Sequence, residues 1–146
     1  MSAPDSTRQI VVFALGDEEY ALTIGDVQEI IRYVVPRPVS SDAPWIRGVI
    51  SLRGRIIPVY DLATWLGVPP GAREPAKIIV IEAGDHTAGL VVDDVTEVLT
   101  VDEGEIELLR VTSSSGPHSI AKVGDRLIVL LAGESIGASV ELADAV

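Results

Sequence analysis

The chain has 146 residues, of which 47% are hydrophobic, with 11 Lys and Arg against 22 Asp and Glu and no cysteine. This length suits one compact domain, or two very small lobes that share a core. The net charge of −11 argues against binding to nucleic acid or to an anionic membrane surface, since both depend on a surplus of Lys and Arg. The lack of cysteine excludes disulfides, thiolate nucleophiles and cysteine-based zinc sites.

The apolar runs are too short to cross a membrane. The longest, at 10–16 and 127–133, have seven residues each, whereas a transmembrane helix needs roughly 20. The first run also lacks a small-residue cleavage pattern, so it does not read as a signal peptide. The expected location is the cytoplasm, with no direct insertion into the membrane.

Short apolar runs rich in β-branched residues predict an all-β fold. Val and Ile fill 35 positions against 13 for Leu, and turn residues interrupt the runs about every ten residues. The predicted strands cover 9–15, 19–23, 27–33, 48–52, 55–61, 77–82, 87–92, 95–101, 119–123 and 126–131. A short helix is predicted at 61–66, with Asp61 as its N-cap, and another in the C-terminal tail, opening at Glu134.

An internal repeat indicates two related lobes. Residues 10–31, moved along by 68, lie on 78–99 without a gap, so that Glu29 meets Glu97. A second shift, by 70, places Ile50, Gly54, Ile57 and Val59 on Ile120, Gly124, Leu127 and Val129. The expected lobes are about 8–68 and 76–132, with a Pro- and Gly-rich linker at about 66–76 and a tail at 133–146. The alternative is the generic similarity of β-hairpins that have Gly-Asp turns.

The sequence carries little catalytic chemistry. The serines cluster at 40–41 and 113–115, and no Gly-x-Ser-x-Gly elbow occurs. Asp93, Asp94 and Glu97 offer carboxylates for a small ligand or a metal, but adjacent residues of a strand point to opposite faces. No catalytic residue, metal site or cofactor is therefore predicted, and ligand or metal binding near these carboxylates is kept as the alternative from another functional class.

Charge is segregated along the chain. Residues 82–107 contain nine acids and no Lys or Arg, whereas residues 30–60 contain five Arg and one acid. Such segregation favours complementary surfaces for protein partners; the alternative is that the arginines pair with the acidic run across the two lobes. Arg53, beside Gly54 in a predicted turn, can bind a carboxylate through both nitrogens of its fork. Glu29 is its candidate partner, or shares a partner-binding surface with it.

Several stretches resemble the CheW-like chemotaxis coupling proteins. They lie at 10–22, 27–30, 46–62, 89–95 and 124–128, within a resemblance that covers about 8–132. The most specific block is Leu52-Arg53-Gly54, followed by an apolar strand with a proline and by Asp61-Leu62. The resemblance implies a single CheW-like domain made of two five-stranded SH3-like β-barrel lobes. It also implies an adaptor without enzymatic activity.

In that family, adaptors couple the cytoplasmic tip of methyl-accepting chemoreceptors to the regulatory domain of a CheA-type histidine kinase in bacterial chemotaxis. Carried over by position, the receptor-binding residues are Val27, Glu29, Gly48, Arg53 and Val98, around a groove that takes a helical hairpin. The kinase contacts are expected around Gly16, Asp17, Glu107 and Thr112. The alternatives are an adaptor of another pathway, such as pilus motility or development, and a decoy that binds the kinase alone.

Overall fold

A computed structural model describes residues 6–69, 74–83, 85–109, 118–132 and 136. In the first half of the chain the strands are β1 (Thr7–Leu15), β2 (Glu18–Thr23), β3 (Val27–Arg32), β4 (Ile46–Leu52) and β5 (Arg55–Asp61). In the second half they are β6 (Lys77–Ala83), β7 (His86–Val92), β8 (Asp94–Asp102), β9 (Ile106–Leu109), β10 (His118–Val123) and β11 (Arg126–Leu131). Every predicted strand is present, and β9 is the one that the sequence pattern missed.

One short helix and two 3₁₀ turns connect the strands of the described ranges. Helix α1 (Leu62–Leu66) begins at Asp61, whose carboxylate accepts a hydrogen bond from the Thr64 backbone N–H at 3.3 Å, as the sequence predicted. It ends at Gly67, which adopts the left-handed conformation. The 3₁₀ turns are Ile24–Asp26 and Glu103–Glu105. The predicted C-terminal helix lies outside the described residues apart from Ile136.

Each of the two sheets combines strands from both copies of the repeat. Sheet A has the order β8-β1-β2-β11-β10-β9, and sheet B has the order β3-β6-β7-β5-β4. Each sheet thus takes the first hairpin of one copy and the later strands of the other. The predicted all-β fold with two related lobes is confirmed, although sheet A has six strands rather than five. The sheets do not coincide with the expected lobes at 8–68 and 76–132, because the first hairpin of each copy hydrogen-bonds to the opposite copy.

The register confirms the first offset of the repeat and corrects the second. At an offset of 68, the pair Ile10 and Leu99 corresponds to the pair Ile78 and Ile31. Both pairings also carry a β-bulge at the same place, beside Gln28 in one copy and beside Thr96 in the other.

The second offset is 71 rather than 70. Val59 lies opposite Gly89 and Leu130 opposite Ala21, so Val59 and Leu130 are equivalent. The shift of 70 was wrong because it aligned two turn glycines that occupy different turn positions, the second (Gly54) and the first (Gly124). A slip of one residue turns every side chain of a strand to the other face.

Three apolar clusters hold this arrangement together. The largest lies between the sheets and contains Phe13, Leu22, Ile79 and Leu90, all fully buried; we call it the inter-sheet core. Two smaller clusters lie on the other faces, one in sheet A around Val12 and Ile128 and one in sheet B around Val59 and Val80. Both faces of most strands are therefore covered, which explains the nearly continuous apolar runs in the sequence.

Candidate protein-binding surface

Glu29 and Arg53 form an ion pair at the edge of sheet B. Glu29 lies on β3 opposite Val80, and Arg53 is the first residue of the two-residue turn between β4 and β5. Their side chains meet at 3.0 Å between Arg53 Nη1 and Glu29 Oε1, which confirms the pairing that the sequence suggested. The Arg53 side chain is 76% exposed, whereas that of Glu29 is 20% exposed. The guanidinium is therefore held by one carboxylate and still open to a second.

The backbone of Arg53 is itself unusual. Its φ of 52° lies in the left-handed region, and Gly54 follows with a φ of 80°. Two consecutive residues with positive φ match the twist of a tight hairpin, but the first position favours Asn, Asp or Gly over Arg. An arginine at this position makes the fold less stable than Asn, Asp or Gly would, and residues with strained backbones concentrate at functional sites.

Four repeat-related apolar residues lie on the faces of β3 and β8 that point toward the inter-sheet core, the opposite face of each strand from Glu29 and Glu97. Val27 and Val95 pack against the inter-sheet core, while Ile30 and Val98 are 39% and 51% exposed. The bulge keeps Val27 and Ile30 on the same face despite their spacing of three. Val27 and Val98 were predicted from the family resemblance, whereas their repeat equivalents at an offset of 68, Val95 and Ile30, were not.

Gly48 occupies a point where two backbone segments nearly touch. It is buried and has a φ of 143°, and a Cβ atom at this position would lie 2.0 Å from the Arg37 carbonyl oxygen. The neighbouring Val49 exchanges two backbone hydrogen bonds with Arg37, each 2.9 Å long. Gly48 therefore shapes this surface by letting residues 37–38 cross over β4, and it offers no side chain to a partner.

A second ion-pair cluster, which the sequence analysis missed, lies at the equivalent edge of sheet A. Arg126 on β11 donates hydrogen bonds to Glu19 on β2, one of them 3.0 Å long, and to Glu97 on β8 at 2.7 Å. The hydrogen bond from Arg126 holds the pKa of Glu19 below its ordinary value, and the two carboxylates raise the pKa of Arg126. The signal was present in the sequence, because Glu97 is the repeat equivalent of Glu29.

Three of the residues expected to contact the kinase lie on strands of sheet A or in the turn between two of them: Gly16, Asp17 and Glu107. Gly16 and Asp17 form the turn between β1 and β2, where Asp17 is exposed and the Gly16 N–H donates to the Asp93 carboxylate at 2.7 Å. Glu107 is exposed on β9, opposite Ile120. Thr112 lies outside the described residues. The structure therefore brings Gly16 and Asp17 together and leaves Glu107 on another strand of the same sheet.

Two arginines of residues 30–60 form ion pairs within their own half of the chain. Arg47 pairs with Asp61 at 2.7 Å, and Arg53 pairs with Glu29. In the acidic run, Glu97 pairs with Arg126 and Glu103 with Arg8. For the described ion pairs, the alternative of pairing between the arginine segment and the acidic run is therefore not observed, and both segments keep exposed charges.

The carboxylates considered for ligand or metal binding do not converge. Asp93 accepts from the Gly16 N–H, Asp94 from the Val95 N–H, and Glu97 from Arg126. Across the described ranges, no group of three or more His, Asp or Glu side chains is arranged to hold a metal ion. No helix in the same ranges combines the length and apolarity that spanning a bilayer requires.

The buried Tyr20 connects the inter-sheet core to a carboxylate at its polar edge. Its hydroxyl donates to Glu18 at 3.0 Å, and its ring stacks on Phe13 at a centroid distance of 6.3 Å. Burial and the neighbouring carboxylate raise the pKa of Tyr20 to about 12. The ring thus belongs to the inter-sheet core while its oxygen reaches the polar rim.

Comparisons with known proteins agree with this architecture. The family model for the CheW-like domain matches residues 9–141. The chain is 35% identical over 118 residues to the chemotaxis protein CheW of Bacillus subtilis, covering 80% of this chain and 71% of that one. It is 32% identical over 125 residues to CheW of Thermotoga maritima, covering 84% and 83%.

A solved structure shows the same fold. The crystal structure of the scaffolding protein TtCheW from Thermoanaerobacter tengcongensis superposes with a TM-score of 0.76 at 36% identity, covering 84% of this chain and 87% of that one. Together with the family match over nearly the whole chain, this agreement in fold extends the sequence similarity to three dimensions. The chain belongs to the CheW-like domain family.

Proposed function

We propose that this chain is a non-enzymatic adaptor that couples methyl-accepting chemoreceptors to a CheA-type histidine kinase in the cytoplasm. Membership of the CheW-like family supports this role, as does the similarity to a structure described as a scaffolding protein. The observation that carries the proposal is the exposed Arg53, held by Glu29 on β3, the strand that also exposes Ile30. Exposed apolar and charged residues on one edge strand are typical of a surface that binds an amphipathic helix.

The receptor site comprises Val27, Glu29, Gly48, Arg53 and Val98, as the family resemblance implies. These residues act in different ways. Val98 offers exposed apolar surface, and Arg53 offers a cation that is only partly satisfied. Glu29 orients that cation, and Gly48 keeps the neighbouring backbone crossing in place. The kinase contacts at Gly16, Asp17, Glu107 and Thr112 belong to the same proposal.

Arg53→Glu tests the receptor site. Reversing this charge places two carboxylates together at an exposed turn, so we expect receptor binding to be abolished while thermal unfolding stays unchanged. Binding is measured by co-sedimentation with receptor-bearing membranes. Binding to the isolated kinase, expected to persist, shows that the variant is a folded adaptor.

Arg8→Glu is the matched control. Arg8 also pairs with a glutamate, Glu103, at 2.8 Å, and its replacement makes the same change in net charge at the far end of β1. We expect this variant to bind receptors normally. Full receptor binding by Arg53→Glu would remove Arg53 from the site, and equal losses in both variants would mean that net charge alone was being measured.

A further inference from the structure

Within the described ranges the chain crosses between the two sheets twice, and one of these crossings is made by a single residue. β2 in sheet A leads to β3 in sheet B through the 3₁₀ turn Ile24–Asp26. β7 in sheet B leads to β8 in sheet A through Asp93 alone. Asp93 therefore stands where its backbone and its side chain can reach both sheets.

The backbone of Asp93 is hydrogen-bonded to elements of both sheets. Its N–H donates to the Ala14 carbonyl of β1 at 3.1 Å, next to the pairing of β1 with β8. Its carbonyl accepts from the N–H of Ala76, directly before β6, also at 3.1 Å. Neither bond involves the side chain, so a residue of any type other than proline can make both of them.

The carboxylate of Asp93 makes a third contact, to the turn between β1 and β2. It accepts a hydrogen bond from the Gly16 N–H at 2.7 Å, and bonds to ionised acceptors are short and stronger than neutral ones. Gly16 is the first residue of a two-residue turn, since Leu15 and Glu18 are the last pair of the ladder. Its N–H lies outside that ladder and needs another acceptor. Asp93 thus ties the tip of the first hairpin to the crossing between the sheets.

The repeat indicates that the fold does not require a carboxylate at such a crossing. At the offset of 68, Asp93 corresponds to Gly25, which lies in the 3₁₀ turn of the other crossing. Gly25 has no side chain, although a Cβ there would meet nothing within 4 Å, and the crossing forms without one. The side chain of Asp93 is therefore an addition to the crossing, and its contact lies in a turn where the kinase is expected to bind.

We propose that Asp93 is a positioning residue for the kinase contact at Gly16 and Asp17. By holding the Gly16 N–H, its carboxylate fixes the turn that carries the exposed Asp17. A turn that is already held in one conformation loses less conformational freedom on binding, which raises its affinity for a partner. The half-buried Asp93 acts through this turn and does not itself touch the kinase. This inference rests on the proposed kinase contact and adds the residue that orients it.

Substitutions at Asp93 and at its neighbour separate this role from an effect of charge. Asp93→Ala removes the acceptor and keeps both backbone hydrogen bonds, so we expect the variant to fold. We expect its binding to the regulatory domain of a CheA-type kinase to weaken about tenfold, the order of effect of one hydrogen bond to a charged group. Binding to receptor-bearing membranes should not change. Asp94→Ala is the matched control, because it makes the same change in charge and its carboxylate bonds locally, to the Val95 N–H at 2.9 Å; it should leave both affinities unchanged.

A double-mutant cycle with Asp17→Ala distinguishes positioning from a general loss of structure. If Asp93 acts through the turn, Asp93→Ala should weaken kinase binding by about twofold or less once the Asp17 side chain is absent. A general loss of structure would weaken binding by the same factor with or without that side chain. Asp93→Asn keeps an acceptor oxygen without the charge and should lose only about threefold in affinity. If Asp93→Ala does not fold, the same cycle is measured with Asp93→Asn.

The outcomes separate this inference from the proposed function. Native kinase affinity in Asp93→Ala, an equal loss in Asp94→Ala, or a loss that Asp17→Ala leaves unchanged would overturn the positioning role while the adaptor function stands. Native kinase affinity in Asp17→Ala would refute the kinase contact at this turn, and the positioning role with it. An unsubstituted chain that does not bind the kinase would refute the proposed function itself and this inference together.

Discussion

Replacing Gly48 by alanine should disrupt the crossing between β4 and residues 37–38. An alanine Cβ would start 2.0 Å from the Arg37 carbonyl oxygen and 3.1 Å from the Pro38 Cα, so the crossing segment has to move by more than an ångström. That movement breaks the two 2.9 Å hydrogen bonds between Arg37 and Val49, at about 1 kcal/mol each. The φ of 143° adds about 1 kcal/mol of backbone strain for any residue with a side chain.

The total is about 3 kcal/mol, which corresponds to a Tm lower by about 10 °C for a domain of this size. Thermal unfolding followed by circular dichroism measures it directly. Gly25→Ala is the matched control, because a Cβ there meets nothing within 4 Å, and its Tm should stay close to that of the unsubstituted chain. A Gly48→Ala variant that unfolds within 1 or 2 °C of the unsubstituted chain, roughly the effect of an ordinary surface substitution, would refute this reasoning.

Three further predictions concern the charged and titrating groups. Because the pKa of Glu19 is lowered in the folded state, its ionised form contributes stability that is lost as the pH falls below 4.5. Glu19→Gln should therefore flatten the acid side of a plot of stability against pH. An acid side that this substitution leaves unaltered would contradict the pairing of Glu19 with Arg126. Because the pKa of Tyr20 is raised from 10.0 to about 12, stability should decline between these values, and Tyr20→Phe should remove that decline. The chain has three tyrosines, so a tyrosinate absorbance at pH 10 that Tyr20→Phe reduces by about a third would argue against this prediction. A double-mutant cycle on Glu29 and Arg53, measured by urea unfolding, should give a coupling free energy of less than about 1 kcal/mol, since Arg53 is mostly exposed. A much larger coupling free energy would mean that the pair stabilises the fold.

The sequence predicted best those elements whose structure depends mainly on their own residues. Valine and isoleucine runs between turn residues located ten of the eleven described strands, and Asp61 marked the start of α1. β9 was missed because it is four residues long and lies in an acidic stretch without regular apolar alternation. β9 is a strand because it pairs with β10, and that pairing leaves no pattern in the four residues of β9 themselves.

Tertiary features were predicted only where the repeat or a charge pair revealed them. The contact between Glu29 and Arg53 could be anticipated from their charges, but the role of Gly48 could not, since it depends on a backbone crossing 11 residues away in sequence. The exchange of hairpins between the sheets was also hidden, because equivalent strands can pair within a copy or between copies with the same apolar pattern. The offset of 71 became visible only when buried Ile57 and Ile128 proved equivalent.

The coupling role is tested most directly by the activity of a CheA-type kinase with receptor-bearing membranes, measured with and without this chain. The account predicts strong activation that requires both the receptor and the adaptor and is switched off by the attractant of the receptor. Arg53→Glu should lose this activation while keeping its binding to the kinase. Kinase activity that stays the same with and without the chain, in the presence of receptors that it binds, would contradict the proposed coupling.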